Sequence, residues 1–507
     1  MIGAPPPVFK SVEDKNHASR LICSAPFFTL PDKLPMFLRP STADLVLILA
    51  LSFSPLANAT ASLPPTVSSA LKQAGIPLGH TAILVQAVEG KAPPRIALNI
   101  HHAMNPASVM KLLTTYAALN TLGPNWRWRT TAWTETMPRH GVLESPLYLK
   151  GSGDPKFVLE HLTGLLRQLR VRGIQHLRDG IVLDRSAFDI PATNPGAFDE
   201  LPMRPYNIGP DALLMNFRAV TLTLLPGETA PQILLETPAA GLTIDNQLRA
   251  GKGHCEDWKD RIRPRLKSGN GNPSVLELTG TLNPACGNQV LNLSPLSEDD
   301  YAASLIRALW QELGGELTGP VRSGTLPPQP VLLAEHISPP LSEQVRDINK
   351  FSNNVMARQV FLSLSENTPA TLESARKSTE TWLAKQGMAF HELVMDNGSG
   401  LSRQERINAE NLGKLLTHAW HSPLMPEFIA SLPIVGLDGT MKKRLKDPGN
   451  AGRAHLKTGT LDGVKSIAGY VLDKQGHRYL VVFLINDPKA SQGQAAMDAL
   501  VRWVMGQ

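Results

Sequence analysis

The chain has 507 residues, of which 42% are hydrophobic and 19% are charged, the composition of an ordinary globular protein. Such a length allows about three domains and a large buried core. The formal net charge of +6 is mild, and without a basic stripe it does not indicate a nucleic-acid-binding protein. After residue 60 no stretch is apolar and long enough to predict a membrane span.

The first 59 residues predict an exported protein. An apolar run, Leu45–Leu51, follows a short basic start at Met36 and leads to Ala57-Asn58-Ala59. A charged start, a short apolar centre and an A-x-A end are typical of a secretory signal peptide. We therefore expect cleavage after Ala59 and translation from Met36 rather than Met1. The alternative is an N-terminal membrane anchor that is never cleaved.

A strand pair and a helix open residues 60–128, the predicted first part of a domain that is interrupted by an insertion. Alternation predicts strands over Thr81–Val88 and Ile96–Asn99. A helix is expected over Pro106–Leu119, because Asn105 can cap it and Pro106 suits its first turn. The Gly123-Pro124 pair would close it.

Short strands with turn signals fill residues 129–293, which we interpret as one or two inserted β-rich modules. Helical patterning returns in residues 294–507, the predicted second part of the interrupted domain, and predicts helices over Leu341–Lys350 and Asn354–Leu364. Two strands, Ser466–Leu472 and Tyr479–Ile485, and a last helix from about Gly493 end the chain. The predicted fold class is therefore α/β of the α+β kind.

Ser108 and Lys111 interrupt the apolar helix near its start. They lie three residues apart, so they share one face of the helix. Burial lowers the pKa of a lysine, which can then act as a base, and the helix N-terminus favours negative charge on the serine oxygen. The pair has the chemistry of an activated nucleophile. Ser-x-x-Lys alone is equally consistent with a helix that is capped by serine and carries a solvated lysine.

Two further triplets complete a motif set. Ser352-Asn353-Asn354 lies between two predicted helices, and Lys457-Thr458-Gly459 precedes the C-terminal strand pair. The order Ser-x-x-Lys, Ser-x-Asn, Lys-Thr-Gly is typical of penicillin-binding proteins and serine β-lactamases.

A wider set of motifs resembles one family, the D-alanyl-D-alanine carboxypeptidase/endopeptidases of the penicillin-binding protein 4 type (class C low-molecular-mass penicillin-binding proteins, peptidase family S13). The resemblance rests on Pro106–Leu112, Gly153-Asp154-Pro155, Asp396–Arg403, Leu437–Thr440 and the long interval between Lys111 and Ser352. It implies a transpeptidase-like domain with an antiparallel sheet flanked by helices, interrupted by inserted domains. Many relatives have Ser-Asp-Asn where this chain has Ser-Asn-Asn.

The resemblance also implies roles for residues. Ser108 would be the nucleophile and Lys111 its base. Ser352 and Lys457 would relay a proton to the leaving group, and Asn354 would hold Lys111 and the substrate amide. The substrate-binding residues would be Thr458, Gly459, Thr460 and Arg403, although Arg403 could equally form a surface salt bridge. The backbone N–H groups of Ser108 and Thr460 would form the oxyanion hole.

The expected partners are peptidoglycan stem peptides and cross-links, with β-lactams as inhibitors, in the periplasm, free or loosely membrane-associated. The alternatives are a serine β-lactamase or esterase of the same fold and a scaffold with a dead site.

No cofactor or metal is implied, because His391-Glu392 lacks the second histidine of a zinc motif. Asp154 and Asp396-Asn397-Gly398 are interpreted as turn residues. Cys255 and Cys286, an even number in an exported chain, predict a disulfide.

Overall fold

A computed structural model describes residues 63–90, 92–267 and 274–506. The predicted signal peptide, its cleavage site after Ala59 and the proposed start at Met36 lie outside the described residues. Within those residues, no helix is both long enough and apolar enough to cross a membrane.

The helices of the described residues are these: α1 Pro65–Gln73, α2 Lys111–Thr121, α3 Leu159–Val171, α4 Glu298–Glu312, α5 Leu341–Phe351, α6 Asn354–Ser363, α7 Leu372–Lys385, α8 Ala409–Trp420, α9 Met425–Ser431 and α10 Gln494–Met505. The strands are these: β1 Thr81–Ala87, β2 Ile96–Leu98, β3 Arg129–Thr134, β4 Val142–Leu143, β5 Leu147–Gly151, β6 His176–Leu177, β7 Ile181–Asp184, β8 Val220–Leu225, β9 Gln232–Leu235, β10 Leu242–Ala250, β11 Ile262–Lys267, β12 Ser274–Leu282, β13 Gln289–Leu293, β14 Glu316–Leu317, β15 Val321–Gly324, β16 Val331–Ile337, β17 Ala454–Leu461, β18 Val464–Leu472 and β19 Arg478–Asn486.

A five-stranded antiparallel sheet, in the order β17-β18-β19-β1-β2, brings together strands from the two ends of the described chain. Its middle strands are apolar on both faces because helices cover both. Helices α1 and α10 pack on one face through residues such as Leu71 and Leu500, and α8 packs on the other. The predicted antiparallel sheet flanked by helices is confirmed.

Helix α2 runs through the middle of a helical lobe and contacts α5, α6, α7, α8 and α9. Nine of its eleven residues are buried, because neighbours surround it on all sides. Its N-terminus abuts β17 and β18 of the central sheet, where a 3₁₀ turn, Ala107–Met110, precedes it. Ser108 therefore lies at the interface between sheet and helical lobe.

The insertion is built on a mixed sheet in the order β15-β7-β5-β3-β16, with α3 and α4 packed in the same core. Strand β16 pairs antiparallel with β3, so that Ile337 lies opposite Arg129. The chain thus leaves and re-enters the helical lobe at adjacent points. Residues 298–337 pack with the insertion. The chain re-enters the helical lobe only at α5, later than the predicted boundary between residues 293 and 294.

Three small three-stranded sheets complete the insertion, in the orders β10-β12-β11, β13-β8-β9 and β14-β6-β4. The Cys255–Cys286 disulfide joins the loop after β10 to the turn after β12, with 5.3 Å between the two Cα atoms. The predicted disulfide is confirmed.

Candidate active site

The turn that carries Ser108 is tighter than the sequence predicts. Helical residues begin at Ala107, so Pro106 takes the N-cap position predicted for Asn105. Asn105 still satisfies one orphan donor, since its Oδ1 accepts a hydrogen bond from the Ala107 N–H at 2.8 Å. Ala107 has a positive φ of 46°, an uncommon conformation for a residue with a side chain. The Ser108 side chain consequently faces an open cleft instead of the helix interior.

Lys111 is fully buried below Ser108 and has three contacts. Its Nζ lies 2.9 Å from Ser108 Oγ and 2.6 Å from Asn354 Oδ1. The third contact is the backbone carbonyl oxygen of Ser399. The predicted grouping of Ser108, Lys111 and Asn354 is thus present, and Ser399 is an addition.

The contacts of Lys111 leave its lone pair available to Ser108 when the amine is unprotonated. The Asn354 amide oxygen and the Ser399 carbonyl oxygen can only accept, so they take two N–H groups. The lone pair of a neutral amine is then left for the Ser108 hydroxyl. Burial, followed by the charge of Lys457, holds the Lys111 pKa well below its ordinary value.

Ser352, Asn353 and Asn354 join two helices. Ser352 ends α5 in the left-handed region with φ 57° and ψ 38°, a conformation that is costly for a non-glycine residue and clusters at functional sites. Asn353 caps α6, because its side chain accepts a hydrogen bond from the Met356 N–H at 3.1 Å. Aspartate would cap equally well, which gives a physical reason why the middle residue of this motif can vary.

Lys457 belongs to β17, so the Lys-Thr-Gly motif lies inside the edge strand of the central sheet and not before the strands. Its Nζ lies 2.9 Å from Ser352 Oγ and 2.6 Å from the Thr458 carbonyl oxygen. Burial lowers the pKa of Lys457 to about 7. Thr458 Oγ1 is hydrogen-bonded to Thr440 Oγ1 at 2.8 Å, and Thr460 is exposed on the cleft.

Two glycines allow the backbone to approach Ser108. A Cβ on Gly459 would lie 2.2 Å from Ser466 Oγ and 2.9 Å from the Ser108 nitrogen. A Cβ on Gly400, where φ is +79°, would lie 2.0 Å from the Ala107 carbonyl oxygen. Ser466, opposite Gly459 in β18, donates to the Pro106 carbonyl oxygen at 2.6 Å. The turn that carries Ser108 thus lies tightly between a strand and a loop. Of Gly459, Gly400 and Ser466, only Gly459 was expected from the sequence to allow this close approach.

Glu405 is a buried residue of the site that the sequence did not reveal. Its Oε1 accepts hydrogen bonds from the N–H groups of Asn397 at 3.2 Å and Gly398 at 3.1 Å. These hydrogen bonds hold the loop whose next residue, Ser399, accepts from Lys111. Burial raises the pKa of Glu405 to about 7. Glu405 comes two residues after the Asp396–Arg403 motif, but a charged residue there is equally typical of a solvated loop.

Arg403 lies on the wall of the cleft, about 950 Å³ in volume, into which Ser108 opens. Its guanidinium donates to the Asp462 carbonyl oxygen at 2.7 Å and lies 4.7 Å from the Phe198 ring centroid. Both contacts join Arg403 to uncharged groups, a carbonyl and a ring. Phe198 and Asp199 belong to the insertion, which therefore forms one side of the cleft.

Comparisons with known proteins agree on one family. The model of the D-Ala-D-Ala carboxypeptidase 3 (S13) family matches residues 64–506. A D-alanyl-D-alanine carboxypeptidase of Actinomadura sp. (strain R39) is 30% identical over 418 residues, which cover 78% of this chain and 75% of that protein. The D-alanyl-D-alanine carboxypeptidase DacB of Haemophilus influenzae is 26% identical over 389 residues, 76% of this chain and 80% of that protein.

A solved structure has the same fold. The crystal structure of penicillin binding protein 4 (dacB) from Haemophilus influenzae matches with a TM-score of 0.71 at 23% identity, over 87% of this chain and 99% of that chain. With the family match, this likeness confirms the fold class and the resemblance drawn from the motifs. The chain belongs to the D-Ala-D-Ala carboxypeptidase 3 (S13) family and is a serine-type carboxypeptidase.

Proposed function

We propose that the chain cleaves the D-Ala-D-Ala bond of peptidoglycan stem peptides, and the D-amino acid side of their cross-links, through an acyl-enzyme on Ser108. The observation that carries this proposal is the contact set of Lys111. Its Nζ lies 2.9 Å from Ser108 Oγ and has two acceptor-only partners, so that unprotonated Lys111 can direct its two N–H groups to them and its lone pair to the Ser108 hydroxyl.

Acylation follows from this arrangement. Lys111 Nζ takes the Ser108 proton while Oγ attacks the carbonyl carbon of the penultimate D-alanine. The N–H groups of Ser108 and Thr460 stabilise the negative oxygen that forms. The C–N bond then breaks, the ester remains on Ser108, and the nitrogen of the leaving D-alanine gains a proton.

Ser352 and Lys457 are suited to supply that proton. The Ser352 hydroxyl contacts Lys457 Nζ at 2.9 Å, and a pKa of about 7 lets Lys457 exchange protons near neutral pH. Water then hydrolyses the ester, with Lys111 as the base, and the free enzyme returns. No step of this cycle requires a metal or cofactor.

Substrate would bind along the edge of the central sheet. Strand β17 is an edge strand, whose outward backbone groups can pair with an extended peptide. A terminal carboxylate requires a cation and hydroxyl donors, which Lys457, Thr458 and Thr460 supply. Arg403, across the cleft, is positioned to contact the stem peptide.

The same serine would react with β-lactams, whose strained amide is attacked in place of the peptide bond. The enzyme would act in the periplasm, as the predicted signal peptide implies. The insertion supplies Asp199 and Tyr206 to the cleft wall, and we propose that this side contacts the longer arm of a cross-linked substrate.

Two substrates test the proposal. A pentapeptide ending in D-Ala-D-Ala and purified cross-linked peptidoglycan are incubated with the full chain and with Ser108→Ala, and the products are separated by chromatography. Release of D-alanine and of uncross-linked muropeptides by the wild type alone is expected. Full D-alanine release by Ser108→Ala would contradict the mechanism.

A second measurement separates the peptidase from a β-lactamase of the same fold. The lifetime of the penicillin adduct on Ser108 is followed by mass spectrometry. A long-lived adduct is expected, and rapid loss with turnover of penicillin would favour the β-lactamase.

A further inference from the structure

Three potential metal ligands converge outside the cleft, where the insertion meets the helical lobe. They are Asp154, in the loop after β5, His161 on α3 and His336 on β16. One carboxylate oxygen of Asp154 and one ring nitrogen of each histidine lie within 4.8 Å of one another. The three residues come from separate elements of the insertion, so the fold and not a local sequence motif brings them together.

Polar atoms of this cluster are buried without hydrogen bonds. Asp154 is 2% exposed, and its Oδ2 has no hydrogen-bond partner. The same holds for Nε2 of His336, which lies 3.7 Å from that oxygen. Leaving a buried carboxylate oxygen and a ring nitrogen without partners is costly. A bound group that satisfied both atoms would remove this cost.

We propose that Asp154, His161 and His336 bind a divalent transition metal of the Zn²⁺ class. Two imidazoles and one carboxylate suit zinc and its neighbours, whereas Mg²⁺ and Ca²⁺ prefer oxygen ligands. The donor atoms need to approach each other by about 1 to 2 Å to reach zinc bond lengths near 2.1 Å, a shift that side-chain rotation on three separate elements can provide.

Surrounding hydrogen bonds support the ligand roles. Nδ1 of His161 lies 2.9 Å from the Lys156 carbonyl oxygen. If Nδ1 donates to it, the lone pair of the neutral ring is on Nε2, an orientation typical of metal-binding histidines. Asp154 Oδ1 accepts from the Lys156 N–H at 2.9 Å, which fixes the carboxylate and leaves Oδ2 for the metal.

The site would join the insertion to α5. Gln344, on α5, approaches Asp154 Oδ1 at 3.5 Å, and Asp347, one turn later, forms an ion pair with Lys156 at 2.5 Å. Helix α5 ends at Phe351, directly before Ser352, a proposed catalytic residue. The metal would therefore be structural, in that it fixes the insertion against the helix that precedes Ser352, and it would take no part in the reaction itself.

Zinc binding to the full-length chain tests the proposal. Metal-free protein is titrated with Zn²⁺ by calorimetry, and its melting temperature is measured with and without Zn²⁺. We expect one zinc per chain, a higher melting temperature with zinc, and at least about 10-fold weaker binding in Asp154→Asn and His161→Gln. His176→Gln serves as the matched control, since His176 also lies near a carboxylate, Glu316 at 3.9 Å, but outside the cluster.

Both replacements are close in shape to the original residues, and penicillin acylation of Ser108 verifies that each variant is folded. Absence of stoichiometric zinc binding by the wild type would overturn the proposal. Equal zinc affinity in the wild type and both cluster variants would overturn it as well. Neither result would bear on the proposed peptidase activity, which involves other residues.

Discussion

At the scale of single residues, the site depends on two lysines whose side chains are shielded from solvent. Lys111 and Lys457 are both fully buried, and burial is the first cause of the lowered pKa of each. A solvated lysine is protonated at neutral pH and cannot accept the Ser108 proton. Desolvation therefore converts two ordinary cations into groups that can exchange protons.

We predict that Lys111→Met reduces acylation of Ser108 by penicillin by about 10²- to 10⁴-fold, because the general base is lost. In the wild type the acylation rate should fall as the pH is lowered, since protonation of Lys111 removes its lone pair. Stopped-flow or quenched-flow acylation across pH measures both effects. Lys414→Met, at an exposed position of α8, is the control; a Lys111→Met variant with wild-type acylation would exclude Lys111 as the base.

Gly459 illustrates how closely the strand must approach the nucleophile. In Gly459→Ala, the new Cβ would lie 2.2 Å from Ser466 Oγ and 2.9 Å from the Ser108 nitrogen, so the turn has to move. We expect acylation to fall by about 100-fold, as is usual for a displacement near 1 Å, while the circular dichroism spectrum stays unchanged.

The matched control for that variant is Gly164→Ala, because a Cβ there meets nothing within 4 Å. Unchanged acylation in Gly459→Ala would mean that the close approach of β17 has no effect on the reaction.

At the scale of elements, the helices with clear periodicity could be predicted from sequence. The expected spans Leu341–Lys350 and Asn354–Leu364 correspond to α5 and α6 within one residue. Amphipathic spacing and caps decide such helices locally. The bounds of β17 could not be predicted from periodicity, because its polar motif, Lys457-Thr458-Gly459, lacks the apolar alternation that marks a strand.

The disulfide is an element-scale constraint on the insertion. It encloses a segment with a sequence separation of 31 residues that contains β11 and β12. We expect Cys255→Ser with Cys286→Ser to lower the free energy of unfolding by about 2–4 kcal/mol. Denaturant unfolding measures this loss.

Penicillin acylation of the same double variant should remain near the wild-type rate, since neither Cys255 nor Cys286 lines the cleft around Ser108. A double variant as stable as the wild type would show that the disulfide does not constrain the unfolded chain.

At the scale of the whole molecule, buried titratable groups make stability depend on pH. Glu405 has a folded pKa of about 7, above its ordinary 4.5, so the folded state binds more protons than the unfolded state between these values. Stability from this group is therefore present below pH 4.5 and is lost as pH rises towards 7. Lys457 acts oppositely: its folded pKa of about 7 lies below the ordinary 10.5, and its contribution improves as pH rises between these values.

We predict that Glu405→Gln abolishes the loss of stability that Glu405 causes between pH 4.5 and 7. The free energy of unfolding of the variant, measured by denaturant titration, should increase relative to the wild type as pH rises from 4.5 to 7. Exposed Glu366→Gln should follow the wild-type profile. Parallel profiles for Glu405→Gln and the wild type would contradict the assigned burial of the Glu405 carboxyl.

The motif residues of the site could be predicted because each belongs to a short pattern with its own chemistry. Glu405, Ser399 and Ser466 could not, because their roles come from contacts across the fold: Ser399 contributes a backbone carbonyl, and Ser466 holds the Pro106 carbonyl from a neighbouring strand. That residues 298–337 pack with the insertion could not be predicted either, since the pairing of β3 with β16 depends on tertiary structure.

The central claim, that Ser108 is the nucleophile activated by Lys111, is tested most directly by its covalent adduct. The full-length protein is incubated with benzylpenicillin, digested with a protease and mapped by mass spectrometry. We predict a single penicilloyl group on the peptide that contains Ser108, and no adduct in Ser108→Ala. An adduct on another residue, or undiminished acylation of Ser108→Ala, would contradict it.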